Sequence, residues 1–365
     1  MLRLQLSALL CLTLAIPPTL PAQDKALPWQ LVPLFAVGGA DDSVLVLTSL
    51  SFRDVAAVSG DGVALVDRVE NQVVILNPVG RVVRRLGRKG AGPGELGFPT
   101  ALAAAPNGDL WVWDAKRPGL VGFGTAGSPL PPRANPPGIG LVQSLQILSD
   151  NDLVVLRSRR DSMTLLRVSG DSPQILAALA RPAAQTVPAG SCEITDYGAR
   201  PVFSPDLIWA ARGNAIAINT ESSFAIQIEG GPFGGTVLKR DVKPRVATAA
   251  LAKRALGQGI PIMLPGRDRP CFINSDDVLK HAGFDLLVPA YRRLVFTAED
   301  TLWAIRYTLP GEPTLADVFG LRGGYIGTVA LGHASPVATR NDGSIVSIEV
   351  DDDDVPRLVV YKIEH

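Results

Sequence analysis

Short apolar runs alternate with turn residues along most of this chain, and the alternation repeats. Residues 52–80 (FRDVAAVSGDGVALVDRVENQVVILNPVG) and 99–127 (PTALAAAPNGDLWVWDAKRPGLVGFGTAG) follow one plan. Each opens on an apolar strand, turns at Asp61-Gly62 or Asn107-Gly108, runs a second strand to Asp67 or Asp114, and carries a third strand to a Gly turn. Asp-Gly and Asn-Gly between apolar runs are strong hairpin signals. Asp67 to Gly80, Asp114 to Gly127 and Arg157 to Gly170 share one spacing, the last following the turn Asp150-Asn151. Later units are looser. One holds Gly213-Asn214 with strands Ala215–Ile218 and Phe224–Ile228; another holds Glu299-Asp300 with Leu302–Arg306; the last holds Asn341-Asp342-Gly343 with Ile345–Val350 and Leu358–Ile363.

Each unit is a three- or four-stranded meander of about 40 to 50 residues, the size of a propeller blade. One such meander cannot bury both faces, whereas a ring buries each against its neighbours. The expected fold is all-β: a six-bladed β-propeller with mostly four-stranded antiparallel blades. The C-terminal unit runs out after three strands, and Leu31–Val37 precedes the first unit without a partner. The simplest closure makes that N-terminal strand the outermost strand of the last blade, which removes an open seam. Residues 240–288 interrupt the pattern. Ala-rich Val246–Leu256 with Gly257 after it predicts a small helical insertion near 245–257, and the remainder through Cys271 reads as an ordered loop.

At 47% hydrophobic and 19% charged, the 365-residue chain supports a sizeable core and is not disordered. Its 35 basic and 35 acidic residues leave no net charge, so no nucleic-acid partner is expected. Arg3, the apolar stretch Leu4–Ile16, the break at Pro17-Pro18 and Pro21-Ala22-Gln23 form a secretory pattern. They predict a cleavable signal peptide over 1–23 and a mature chain of 24–365, periplasmic or secreted, with no stable membrane span after cleavage; an uncleaved anchor is the rival. Removal of the signal leaves Cys192 and Cys271, either paired as a disulfide or two separate buried thiols.

The stretch GRKGAGPGELGFPTALAAAPNGDLWVWD (87–114), with its loop Gly90-Ala91-Gly92-Pro93-Gly94-Glu95 and strand Leu110-Trp111-Val112-Trp113-Asp114, resembles the NHL-repeat group of six-bladed propellers. DTLWAIRY (300–307) and the ending RLVVYKI are similar to its bacterial exported branch. The resemblance is specific over 52–127 and weak over 180–290. It implies the fold strongly and function weakly, because the group includes binding scaffolds together with some lyases and hydrolases.

In a four-stranded blade, the loop after the second strand and the link to the next blade lie on one face. The long segments 87–98, 181–200 and 240–288 all fall there, which marks a binding face. Arg88, Lys89, Arg117, Arg157, Arg159, Arg160 and Arg306 map to it, with Tyr307 beside the last. Arginine forks suit carboxylate or phosphate, although exposed arginines are common and Asp351–Asp354 share this face. Asp67, Asp114, Asn219 and Glu349 end second strands: weak metal-ligand candidates, or caps of the turns that follow. Asp351–Asp354 offers oxygens to calcium or forms a solvated hairpin tip. No nucleophile, base or zinc constellation emerges from three histidines and the cysteines, so no catalytic residue is assigned. The leading expectation is an exported binding or scaffold protein engaging a protein, peptide or glycan across the loop-bearing face, without a cofactor. The alternatives are a metal-dependent hydrolase or lyase of lactonase type, with a divalent ion such as calcium at the channel, and a purely structural role.

Overall fold

A computed structural model of the chain describes residues 23–365 apart from 43, 48–49, 118, 135–138, 171, 195, 265–269 and 298–299. The expected signal segment, except Gln23, and Glu299 lie outside the described residues. Six four-stranded antiparallel sheets form a propeller. Blades 1 to 5 span 55–86, 99–134, 141–180, 208–239 and 291–332. Blade 6 takes Pro336–Thr339, Ile345–Val350 and Pro356–Glu364, and its outermost strand is Gln30–Gly38. That strand pairs with the C-terminal one from Gln30↔Glu364 to Gly38↔Arg357, so the two ends of the ring are stitched by backbone hydrogen bonds as expected.

Local chemistry explains the repeat. In every blade a residue with positive φ makes the first turn: Asp61, Gly108, Asn151, Gly213, Asp300 and Gly343. These are residues that tolerate that region. The first turn sits one residue earlier than the sequence places it, because Gly62 already pairs with Val58 in the second strand. The shared spacing to Gly80, Gly127 and Gly170 arises because each occupies the turn from third to fourth strand with φ of 82°, 88° and 59°.

The core is divided among the seams. Six apolar clusters each join one pair of neighbouring blades, closing with Val63 and Leu65 of blade 1 on Val346 and Leu358 of blade 6. Trp303, fully buried between blades 5 and 6, stacks on Trp29 at 6.2 Å.

The 240–288 insertion is more ordered than the sequence predicts. Helix α1 spans Ala249–Leu256, starting after Thr248, whose Oγ1 accepts from Leu251 N at 3.2 Å, and ending at Gly257 with φ of 56°. Gly259–Ile262 then pairs with Cys271–Asn274, and helix α2, Ser275–His281, follows. The link before blade 4 adds a hairpin of Gln185–Pro188 with Asp196–Ala199. Cys192 and Cys271 are bonded, with Cα atoms 5.4 Å apart, so the two inserts are one stapled cap. It has a core of its own around Val187, Ala189, Ile273 and Val278, and Phe203, Ala247, Val288 and Leu309 seat it. Among the described residues no helix is long and apolar enough to cross a membrane.

Candidate functional site

The first strand of each blade faces the axis, and together they line a central cavity of about 600 Å³. These strands begin at the loop-bearing face. In four of the six the pairing slips by one residue near that end, leaving Thr100, Gln143, Arg292 and Val337 without a partner in the second strand. A bulge of this kind turns an extra side chain out of the ladder, and Gln143, Arg292 and Val337 line the cavity.

Blade 5 puts two arginines at this mouth. Arg293 donates from Nη1 to Ser335 Oγ at 3.2 Å and to the Pro336 carbonyl at 3.0 Å. Its guanidinium carbon lies 5.1 Å from the centre of the Phe52 ring, and that of Arg53 lies 5.7 Å from the same ring. Burial, and then the neighbouring charge of Arg292, push Arg293 down to about 10. Burial also lowers Arg292, partly offset by Tyr307. Phe52 remains 42% exposed, an aromatic face at the opening. Asp206, just before blade 4, also lines the cavity. Its surface is open to the channel, yet the surrounding protein raises its carboxyl against the pull of Arg181 and Arg200.

The residues that the sequence singled out are placed differently. Arg88 pairs with Glu95 at 2.8 Å on the rim. Arg117 donates to the carbonyls of Gly90, Ala91, Gly92 and Glu95, and so holds the glycine-rich loop shut. Lys89 bridges to Leu96 within that loop. Glu95 accepts from Gly92 N at 2.7 Å, and this bond and then Arg88 hold its carboxyl below the usual range. Arg157 lies on the second strand of blade 3 opposite Val142, with Arg159 and Arg160 after it. Tyr307 packs edge-on against Phe203 at 5.8 Å, and burial raises its phenol.

Arg306 turns inward. It donates to Asp24 and Asp317, joined by Arg240, which meets Asp24 at 2.7 Å and Asp317 at 3.0 Å. Tyr291 Oη and Thr328 Oγ1 donate to the same Asp317 carboxylate. Two cations and two anions therefore close a buried network that ties the N-terminal segment to the seam of blades 4 and 5. Burial opposes ionisation of Asp24, but hydrogen bonds from Arg306 and Arg240 outweigh it and lower the carboxyl.

The four ends of second strands act within their own blades. Asp67 accepts from Val69 N and Gln72 Nε2, and Asp114 from Phe98 N and Lys116 N. Asn219 donates to the carbonyls of Ser223 and Ala225, and Glu349 accepts from Ser347, Tyr361 and Arg357. Among the described residues no three acidic, histidine or cysteine side chains gather in a way that would hold a metal. At the tip 351–354, Asp351 accepts from Ala40 N, Asp353 N and Val355 N, which keep its carboxyl low. Sequence reasoning passed over Arg53, Arg292, Arg293 and Asp206. A signal existed: tandem arginines inside the apolar strand YRRLVF break the period-two alternation.

The sequence matches no protein-family model and no curated protein. Among solved structures, the chain is similar to a Bacteroides fragilis protein described as exported, at 12% identity over 92% of this chain and 96% of that one, TM-score 0.48. A Bacteroides vulgatus protein of the duf4221 family aligns at 9% identity over 92% and 99%, TM-score 0.49. A gluconolactonase from Xanthomonas campestris aligns at 11% identity over 92% and 90%, TM-score 0.42.

Proposed function

We propose that this chain is an exported, NHL-like propeller that binds a protein, peptide or glycan at the loop-bearing mouth of its central channel. One observation carries the reading: the cavity of about 600 Å³ opens among Phe52, Gln143 and Arg292, on the face that also bears the disulfide-stapled cap. Cavities of roughly 300–1,000 Å³ with a few convergent polar groups are the usual form of a ligand site. Rigid strands position this opening, and loops surround it. Export is supported by the N-terminal charge-and-apolar pattern and by a disulfide of the kind found in oxidising compartments. The lactonase-type alternative gains no site from Asp67, Asp114, Asn219 and Glu349, whose polar groups are engaged within separate blades.

Peptide and glycan arrays probed with the protein test this. The expected ligand binds at least tenfold more weakly to Phe52→Ala and Gln143→Ala, and equally to Val79→Ser, a change in an exposed turn on the opposite face. Absence of binding on both arrays, or binding indifferent to the two mouth variants, overturns the reading.

A further inference from the structure

We infer that Arg53, Arg292 and Arg293 form a subsite for an oxyanion, the carboxylate or phosphate group of a small ligand entering the channel. This inference rests on the reading of the mouth as a binding site and names the chemistry of what it takes.

The first observation is the charge of the cavity. Among the described residues its charged lining is Arg53, Arg212, Arg292, Arg293, Arg340 and Asp206: five cations to one anion. In a concavity with low-dielectric walls such an excess focuses positive potential outward and raises the local concentration of anions. The excess is local, since the whole chain carries no net charge.

The second is that the described acids beside these arginines are engaged: Asp206, in the cavity lining, feels the charges of Arg181 and Arg200, and Glu312 and Glu349 share a neighbouring pocket with Arg292. Asp54, next to Arg53, is fully buried and pairs with Arg68 at 2.7 Å while accepting from Ser51. Glu312 is shared between Arg245 at 3.0 Å and Arg254 at 3.4 Å. Glu349 meets Arg357 and Tyr361. Among the described residues Arg53 and Arg292 have no ion pair, and the Arg53 Nε is buried without a hydrogen-bond partner. The Arg293 guanidinium spends one nitrogen on Ser335 and Pro336. At the other end of the channel, by contrast, Arg340 is satisfied by Asp342, Ser344 and two carbonyls.

The third is placement. Arg53, in the turn before blade 1, and Arg293 of blade 5 both approach the Phe52 ring, and Arg292, on the bulge beside Arg293, adds a third cation to the lining. Within this lining burial and then the charge of Arg292 act against the Arg293 cation. An oxyanion entering the cavity beside the Phe52 ring would offset that charge and accept from guanidinium forks.

Calorimetric titration at constant ionic strength, with succinate in one arm and inorganic phosphate in the other, reads the site directly. The expected result is saturable binding of one probe, weakened at least tenfold in Arg53→Gln and in Arg292→Gln and unchanged in Arg88→Gln. Tighter binding of succinate assigns a carboxylate ligand; tighter binding of phosphate assigns a phosphoryl one. Arg293→Lys keeps the charge but loses the fork, and is expected to weaken binding with the fold intact by circular dichroism. The inference fails if neither probe saturates the wild type, or if the glutamine variants bind as well as it does. An array ligand that still depends on Phe52 in that case leaves the binding reading standing and removes only the anionic subsite.

Discussion

Two groups of arginines lie at the loop-bearing end of blade 5 and have opposite fates. Arg240 and Arg306 face Asp24 and Asp317, with Tyr291 and Thr328 completing the network. Arg292 and Arg293, next to Tyr291 in the chain, face the channel with Arg53, and among the described residues none of the three forms an ion pair. The neutralised pair raises its own affinity for protons, and Arg306 is pushed up. Burial lowers Arg292 and Arg293, and the charge of Arg292 adds to it in Arg293, which is pushed down to about 10. The same residue type thus holds the fold together where charge is balanced within the protein, and where it is not it supplies the charge on which the proposed subsite rests. The difference arises within one strand, where a bulge separates Tyr291 from Arg293.

Substitutions should separate the two groups by sign as well as size. Arg306→Met leaves Asp24 and Asp317 buried with less compensation, and removing one partner of a buried pair costs about 3–5 kcal/mol. Urea denaturation should show a loss in that range; a loss below about 1 kcal/mol would mean that the network is not a unit. Cys192→Ser with Cys271→Ser should cost about 2–4 kcal/mol, as for typical disulfides, and intact mass with and without reductant should differ by two hydrogen atoms in the parent. Acid should act through Asp24, whose folded carboxyl is lowered. That contribution is present above the ordinary carboxylate value near 4 and is lost as pH falls through the lower folded value. A denaturation series between about pH 2 and 6 should therefore show a shallower acid slope in Asp24→Asn than in the parent. The smallest effect is expected at the mouth. Arg292→Gln should change stability by no more than about 0.5 kcal/mol, or raise it by relieving Arg293. A loss as large as that of Arg306→Met would erase the distinction between the groups.

Much of the architecture was legible because it repeats. The turn glycines at 80, 127 and 170 fixed a spacing that depends on backbone conformation alone, so it survives in the chain as a pattern. The strand Leu31–Val37 was assigned to the last blade by counting strands, and it pairs there. The cap was less legible. The turn at the start of α1 and its Gly257 stop are local signals, but the hairpin of Gly259–Ile262 with Cys271–Asn274 depends on apolar contacts with a segment far away in sequence. The site was least legible of all. Arg88 and Arg117 look like rim cations, and the fold commits them to Glu95 and to four loop carbonyls.

The sequence by itself determined the periodic strands, the positive-φ turns, the number of blades and the strand that closes them, because these follow from backbone preferences and short-range hydrophobic pattern. Only the tertiary structure decided which arginines are neutralised and which face the channel. That outcome is set by carboxylates hundreds of residues away, such as Asp24 beside Arg306, and by bulges that redirect single side chains. Ion pairing acts over a few ångströms of space, and a linear pattern carries no record of it.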